Sequence, residues 1–323
     1  MRAITVTEPG GPEALTLSDI ERPALLPGQV LIKTVAAGVN RADLLQRQGH
    51  YPPPKGESPI IGLEVSGRIA EVGDGVQGWS IGDACVALLA GGGYAEYVAV
   101  AAGQVVVPPE GVDLVTAGAL IEVAATVVSN MDHVRLTPGE TLLVHGGAGG
   151  IGSFAIQYAK ALGCTVATTA GTPDKLALCR DLGADMALDY HDDWVAGLRE
   201  ATGGRGADVI LDIMGAKYLD ANLRSLATGG RQVTIGLQGG VKGELNLGLL
   251  LSKRGTITAT SLRFRPADEK AAICRRVADE VWPLIASGAI RLAGETRLPI
   301  EDAAAAHARL AGGENVGKIV LTF

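Results

Sequence analysis

The chain has 323 residues and a net charge of −7, and its 47% hydrophobic and 20% charged content is that of a folded protein, not a disordered one. Because one domain usually takes about 100–200 residues, this length points to two. The acidic balance argues against a polyanionic partner, and no apolar run approaches the roughly 18 residues of a membrane span.

Met1-Arg2-Ala3-Ile4-Thr5-Val6 leads straight into an alternating strand, so no secretory leader is expected and the expected compartment is the cytoplasm. From Met1 to about Pro109 the pattern is short strands between Gly/Pro turns: Ala3–Thr7, Val30–Val39, Gly67–Val72, Ala84–Ala87 and Ala95–Val100. After Val115 helix and strand alternate, the mark of a parallel sheet with crossover helices. The spacing predicts helices over Val115–Val134, Ile151–Leu162 and Pro173–Leu182, and strands at Leu142–His145, Thr165–Ala170, Val209–Asp212, Arg231–Ile235 and Thr256–Ala259. The tail adds an alanine-rich helix, Ile300–Leu310, and a strand, Gly317–Phe323, whose return to the β unit would make that unit discontinuous. The expected division is residues 1–120, completed by 291–323, and residues 121–290. Cys85, Cys164, Cys179 and Cys274 lack C-x-x-C spacing and read as separate buried thiols.

The most informative stretch is Thr141 to Gly152, a strand that meets a helix through glycines. Gly147-Ala148-Gly149-Gly150-Ile151-Gly152 fits G-x-G-x-x-G, in which glycines allow a tight turn, backbone approach to a pyrophosphate and close packing of helix on strand. The free N–H groups of the following helix then face the phosphates. An ordinary strand–turn–helix corner is the alternative.

In an NAD site, an acid about 20 residues past the glycines holds the ribose 2′-OH. Here the second strand ends at Gly171-Thr172, and that acid is absent. Gly171 leaves room for a 2′-phosphate, Thr172 can donate to it and Lys175 supplies a cation, which points to NADPH over NADH. Asp174 is left for the helix dipole. Met214-Gly215 and Ile235-Gly236-Leu237 follow strands whose C-terminal ends border the ligand crevice of such a sheet, so they join the expected cofactor site. His145, at a strand end, reads as packing.

Several further motifs occur in order: Gly38-Val39-Asn40-Arg41-Ala42-Asp43, Gln48-Gly49-His50-Tyr51-Pro52, Gly62-Leu63-Glu64-Val65-Ser66-Gly67, Gly92-Gly93-Tyr94-Ala95-Glu96-Tyr97 and Asn315-Val316-Gly317-Lys318-Ile319-Val320-Leu321. Through them nearly the whole chain resembles the zinc-free quinone oxidoreductase branch of the medium-chain dehydrogenase/reductase superfamily. The resemblance implies an α/β protein: a GroES-like, mostly β catalytic domain plus a Rossmann doubly wound parallel-sheet domain, with NADPH in the cleft between them. It also implies a homodimer formed through the Rossmann sheet.

Zinc-dependent relatives place Cys where this chain has Asn40 and His where it has Leu63, and catalytic zinc needs three protein ligands. No metal is therefore expected, and the acceptor carbonyl must be polarised by hydrogen bonds. By resemblance, Asn40 and Tyr51 are the polar pair of the quinone pocket, Asn40 positioning an oxygen and Tyr51 donating a proton. The alternatives are a turn cap for Asn40 and packing on Pro52-Pro53-Pro54 for Tyr51. Thr126 resembles the residue that meets the nicotinamide amide, and Tyr190 one beside the 2′-phosphate. Leu262 and Asn315 resemble residues that close over the nicotinamide, and Lys318 one near the phosphate. The expected activity is transfer of reducing equivalents from NADPH to a quinone. An enoyl or alkenal reductase and a non-catalytic NADPH-binding protein are the rival readings.

Overall fold

The computed structural model describes residues 1–313 and 315–323, and the chain divides into two compact units. One comprises Met1–Ala125, Leu262–Gly288 and Gly294–Phe323; the other comprises Thr126–Ser261 and Ala289–Ala293.

The first unit opens with β1 (Arg2–Val6) and β2 (Leu15–Asp19), an antiparallel pair. There follow β3 (Gln29–Val39), α1 (Arg41–Arg47), β4 (Glu64–Val72), β5 (Ala84–Leu88), β6 (Tyr97–Ala101), β7 (Val105–Val106) and α2 (Leu114–Ala117). The single helix expected over Val115–Val134 is interrupted. α2 ends at Gly118, where a Cβ would stand 2.9 Å from the Ala36 carbonyl oxygen of β3. The chain then restarts as α3 (Ile121–His133), within which the unit boundary falls.

The second unit carries β8 (Thr141–His145), α4 (Gly150–Ala161), β9 (Thr165–Ala170), α5 (Pro173–Asp181), β10 (Met186–Asp189), α6 (Trp194–Ala201), β11 (Ala207–Asp212), α7 (Leu219–Ser225), β12 (Leu226–Thr234), α8 (Leu247–Lys253) and β13 (Thr256–Ala259). Its sheet is six-stranded and parallel, in the order β10-β9-β8-β11-β12-β13. Every residue of β8 and β11 is buried, as sandwiching between two helix layers requires. The strand order reverses between these two, which makes their C-terminal ends the switch point of a Rossmann fold.

The chain returns to the first unit through α9 (Ala267–Arg276), which runs by a π-helical turn into α10 (Trp282–Ala286), and then β14 (Glu295–Pro299), α11 (Ala303–Gly312) and β15 (Lys318–Thr322). Residues 262–288, expected in the nucleotide unit, belong here instead. A Cβ at Gly103 would meet Ala271 of α9 at 2.9 Å, and the Trp282 indole donates to the Val107 carbonyl at 2.7 Å. Arg291, expected in the first unit, exchanges two 2.9 Å backbone hydrogen bonds with the Gln157 amide in the second.

β15 pairs with β14 and β3, completing a seven-stranded sheet in the order β14-β15-β3-β4-β5-β7, with β6 also on β3. Ile319 lies opposite Val39, and Ala37 opposite Val65. These registers bring the adjoining ends of β3, β4 and β15 to one place.

Candidate functional site

In the second unit β8 turns into α4 through Gly146, at φ +73°. The turn glycine is thus the residue before the motif, while Gly147 is needed because a Cβ there would lie 2.2 Å from Thr168 Oγ1. A Cβ on Gly152 would lie 2.2 Å from the Gly146 carbonyl oxygen, so this glycine lets α4 sit against the turn. Gly149 differs. Its added Cβ would meet only the Gly146 oxygen, at 3.4 Å, so protein packing alone does not demand glycine at this helix N-cap. The first-turn N–H groups of Gly150, Ile151 and Gly152 have no carbonyl one turn earlier to bond, the donor set that an anion at a helix N-terminus uses.

The C-terminal ends of β9 and β10 bring Gly171, Thr172, Lys175 and Tyr190 together. Thr172 Oγ1 accepts from the Lys175 N–H at 3.3 Å and caps α5, and Lys175 is half-buried. A Cβ at Gly171 would stand 2.2 Å from the Tyr190 hydroxyl oxygen, so the space expected to be open beside Gly171 is held by that phenol. Tyr190 is nevertheless 46% exposed, which leaves its outer face for a ligand. Asp174 is exposed in the first turn of α5.

Met214-Gly215 and Ile235-Gly236-Leu237 form two loops packed on one another. The buried Asp212 carboxylate accepts from Met214 N at 2.8 Å and Gly215 N at 3.1 Å, and a Cβ at Gly236 would approach the Ile213 oxygen to 2.8 Å. Asp212 was not singled out from sequence, although an acid ending a strand at a switch point is a readable signal. His145 is packing: it is 1% exposed, bonded to Asn222 and Thr169, and burial pushes its pKa down to about 4. Thr126 is nearly buried in α3, and its carbonyl accepts from Ser129 and Asn130.

In the first unit, one more step along the strand registers sets Lys318 opposite Asn40 and Glu64 opposite Gly38. The Lys318 ammonium donates to Asn40 Oδ1 at 2.6 Å and Glu64 Oε1 at 2.7 Å, and Asn40 Nδ2 donates to the same carboxylate oxygen at 2.9 Å. Lys318 was expected near a phosphate; it is instead 5% exposed and paired with a fully buried acid. A Cβ at Gly38 would lie 2.1 Å from Glu64 Oε1, so glycine is what admits the carboxylate. These residues do not fit a zinc ion, since Leu63 is a buried apolar side chain and an ammonium already stands against Asn40 and Glu64.

Behind Asn40, the Asp43 carboxylate accepts from the Asn40 N–H at 2.7 Å, half of a capping box, and from the Tyr94 hydroxyl at 3.1 Å. Tyr94 in turn meets His307 Nε2 at 3.1 Å, and Arg47 meets His307 Nδ1 at 3.4 Å. Arginine only donates, so Nδ1 accepts, Nε2 carries the proton, and the chain of donors runs from Arg47 to Asp43. Burial raises the Asp43 pKa to about 7 and lowers that of His307 to about 3.

Tyr51 lies edge-on to Phe264, with the Arg263 guanidinium 5.2 Å from its ring centre. Arg263, which sequence reasoning missed, is 4% exposed and donates to the carbonyls of Ala90 and Tyr51 and to Gln46 Oε1. Leu262 and Asn315 are also nearly buried in this unit, where the Asn315 amide donates to the Gly317 carbonyl.

The chain matches the family described as alcohol dehydrogenase GroES-like domain over residues 26–110 and that described as zinc-binding dehydrogenase over residues 150–278. It is 33% identical to a quinone oxidoreductase of Pseudomonas aeruginosa, over 97% of this chain and 96% of that one. It is 30% identical to a 2-haloacrylate reductase of a Burkholderia species, over 99% and 98% of the two chains. A mycobacterial protein solved in complex with NADPH superimposes over all of both chains with a TM-score of 0.91 and 36% identity. The chain belongs to the quinone oxidoreductase branch of the medium-chain dehydrogenase/reductase superfamily.

Proposed function

We propose that the protein is an NADPH-dependent, zinc-independent quinone oxidoreductase. The observation that carries the cofactor is the corner after β9, where Gly171, Thr172, Lys175 and Tyr190 meet without a carboxylate at the strand end; a 2′-phosphate finds donors and a cation there. The glycine elbow would hold the pyrophosphate on the first-turn N–H groups of α4. NADPH, when bound, supplies the hydride; the protein supplies position and hydrogen bonds.

The acceptor reading rests on the quinone oxidoreductase relative and on two side chains of the first unit. Asn40 Nδ2 would donate to one quinone oxygen and hold it. Tyr51 would give its hydroxyl proton to the oxygen that gains charge, so that one hydride and one proton together yield the hydroquinone, and solvent then returns a proton to the phenolate. The Arg263 guanidinium near the Tyr51 ring favours the negative charge left on that phenol. A conjugated-carbonyl reductase is the second reading, favoured by the likeness to a 2-haloacrylate reductase. For the homodimer, support comes from β13, whose outer edge has no partner strand among the described residues, and from Leu247 and Leu251 of α8, 68% and 79% exposed.

Steady-state NADPH oxidation against ortho-quinones, para-quinones, alkenals, enoyl thioesters and 2-chloroacrylate tests this. Quinones should give the highest kcat/KM. A preference for the thioesters or haloacrylate would transfer the assignment to the second reading, and no turnover with any acceptor would leave only a binding protein.

A further inference from the structure

We propose that Lys318 and Glu64 lock the Asn40 side-chain amide in one orientation, so that an N–H, never the carbonyl oxygen, is offered to the acceptor. This rests on the reading that Asn40 contacts the acceptor. An ammonium can only donate and a carboxylate can only accept. With Lys318 Nζ 2.6 Å from Oδ1 and Glu64 Oε1 2.9 Å from Nδ2, the two charged groups fix which end of the amide is which. Rotating the amide by half a turn would put N–H against N–H and oxygen against carboxylate. Both contacts are repulsive, and the low dielectric around a fully buried carboxylate magnifies them.

The surroundings hold the lock itself rigid. Glu64 Oε2 accepts from the Glu122 N–H at 3.0 Å, and the bare Gly38 leaves the Oε1 side of that carboxylate its space. Asn40 is the one member of the trio that is not buried, and its remaining N–H has only a 3.5 Å approach to the Gly38 carbonyl. That hydrogen is the donor left for a carbonyl oxygen. Lys318 and Glu64 are thus positioning residues: they touch no acceptor, and they select the polarity that Asn40 presents. A merely structural seam between β3, β4 and β15 would hold strands together without affecting which acceptor atom is stabilised.

Three variants separate these roles, with NADPH and 1,4-naphthoquinone as substrates and NADPH affinity read independently by fluorescence titration. Lys318→Met/Glu64→Gln removes both charges together and leaves no buried ion unpaired. It should lower kcat/KM for the quinone at least about tenfold, and Asn40→Ala should do the same. Adding Asn40→Ala to the double variant should cost less than about twofold more, because the groups act as one unit. NADPH affinity should stay within about twofold throughout. Full activity in the double variant, or losses that multiply, would overturn the lock while leaving the Asn40 reading standing. Full activity in Asn40→Ala would overturn both. Should the double variant fail to fold, Glu64→Gln alone keeps the size and removes the charge from one of the two constraints on the amide; a smaller loss of quinone kcat/KM is expected, and no loss overturns the part of Glu64 in the lock.

Discussion

At Tyr51, burial and chemistry pull in different directions: the backbone carbonyl and ring are held by Arg263 and Phe264, while the hydroxyl carries the proposed proton. Removing that oxygen leaves the ring packing in place. Tyr51→Phe should therefore lower kcat with a quinone by roughly 10²-fold, the usual contribution of one general acid, with NADPH affinity nearly unchanged. Steady-state kinetics beside an NADPH binding titration reads both; undiminished turnover would return Tyr51 to packing. Lys175 poses the complementary question. Lys175→Glu sets an acid beside Gly171 and Thr172, and it should raise the Kd for NADPH at least about tenfold while changing that for NADH less than about threefold. Equal losses for the two coenzymes would remove the 2′-phosphate from this corner.

Among the elements, α4 depends most sharply on one missing atom. A Cβ at Gly152 would stand 2.2 Å from a backbone oxygen, which cannot swing aside, so Gly152→Ala should shift α4 off the turn. A loss of about 1–3 kcal/mol by denaturant unfolding is expected, the typical range for overpacking, together with loss of NADPH binding. The elbow was legible as a motif, yet the left-handed turn sits at Gly146, one residue ahead of it, because a pattern of glycines does not say which of them takes positive φ. β9 and β13 have the ranges expected from their β-branched runs, whereas β2 was missed because its Leu15/Leu17 alternation spans only two apolar residues and has no β-branched run apart from Thr16. The split between α2 and α3 was illegible for another reason: Gly118 keeps helical dihedrals, and its close approach to Ala36 is a tertiary fact. The same holds for the polar trio. Asn40 stood out by resemblance, but its partners are 24 and 278 residues away, and only the strand registers bring them together. Asp43, by contrast, was within reach: three residues after Asn40, it fits a capping box.

The molecule as a whole is tied by its ends. β15 closes the first unit's sheet against β3, and the short return at Ala289–Ala293 completes the second unit, so neither unit is a continuous piece of chain. Association belongs to this scale too. If the open edge of β13 and the leucines of α8 form a self-contact, Leu247→Asp/Leu251→Asp should convert a dimer to a monomer by light scattering without loss of the thermal transition. A wild type already monomeric would dismiss that contact.

Three buried groups make opposing contributions to acid stability. His145 and His307, held neutral at pKa values of about 4 and about 3, take up protons on unfolding when the pH is below their unfolded value of about 6.5, so their contribution to stability falls as the pH falls from there. Asp43, raised to about 7, does the reverse: between its unfolded pKa near 4 and its folded one the native state holds the extra proton, and its contribution fades as pH rises through 7. Between pH 5 and 6 two histidines gain and one carboxyl loses, so these three groups together contribute a net uptake of about one proton on unfolding, or about 1.4 kcal/mol per pH unit. Asp43→Asn deletes the opposing group, and the slope should steepen by about one proton. Urea unfolding of wild type and variant at pH 5.0 and 6.0 reads this as a change in the spacing of the midpoints. Identical spacing in the two proteins would mean that Asp43 is ionised in the folded state across that range, and the donor chain from Arg47 would then end on a carboxylate.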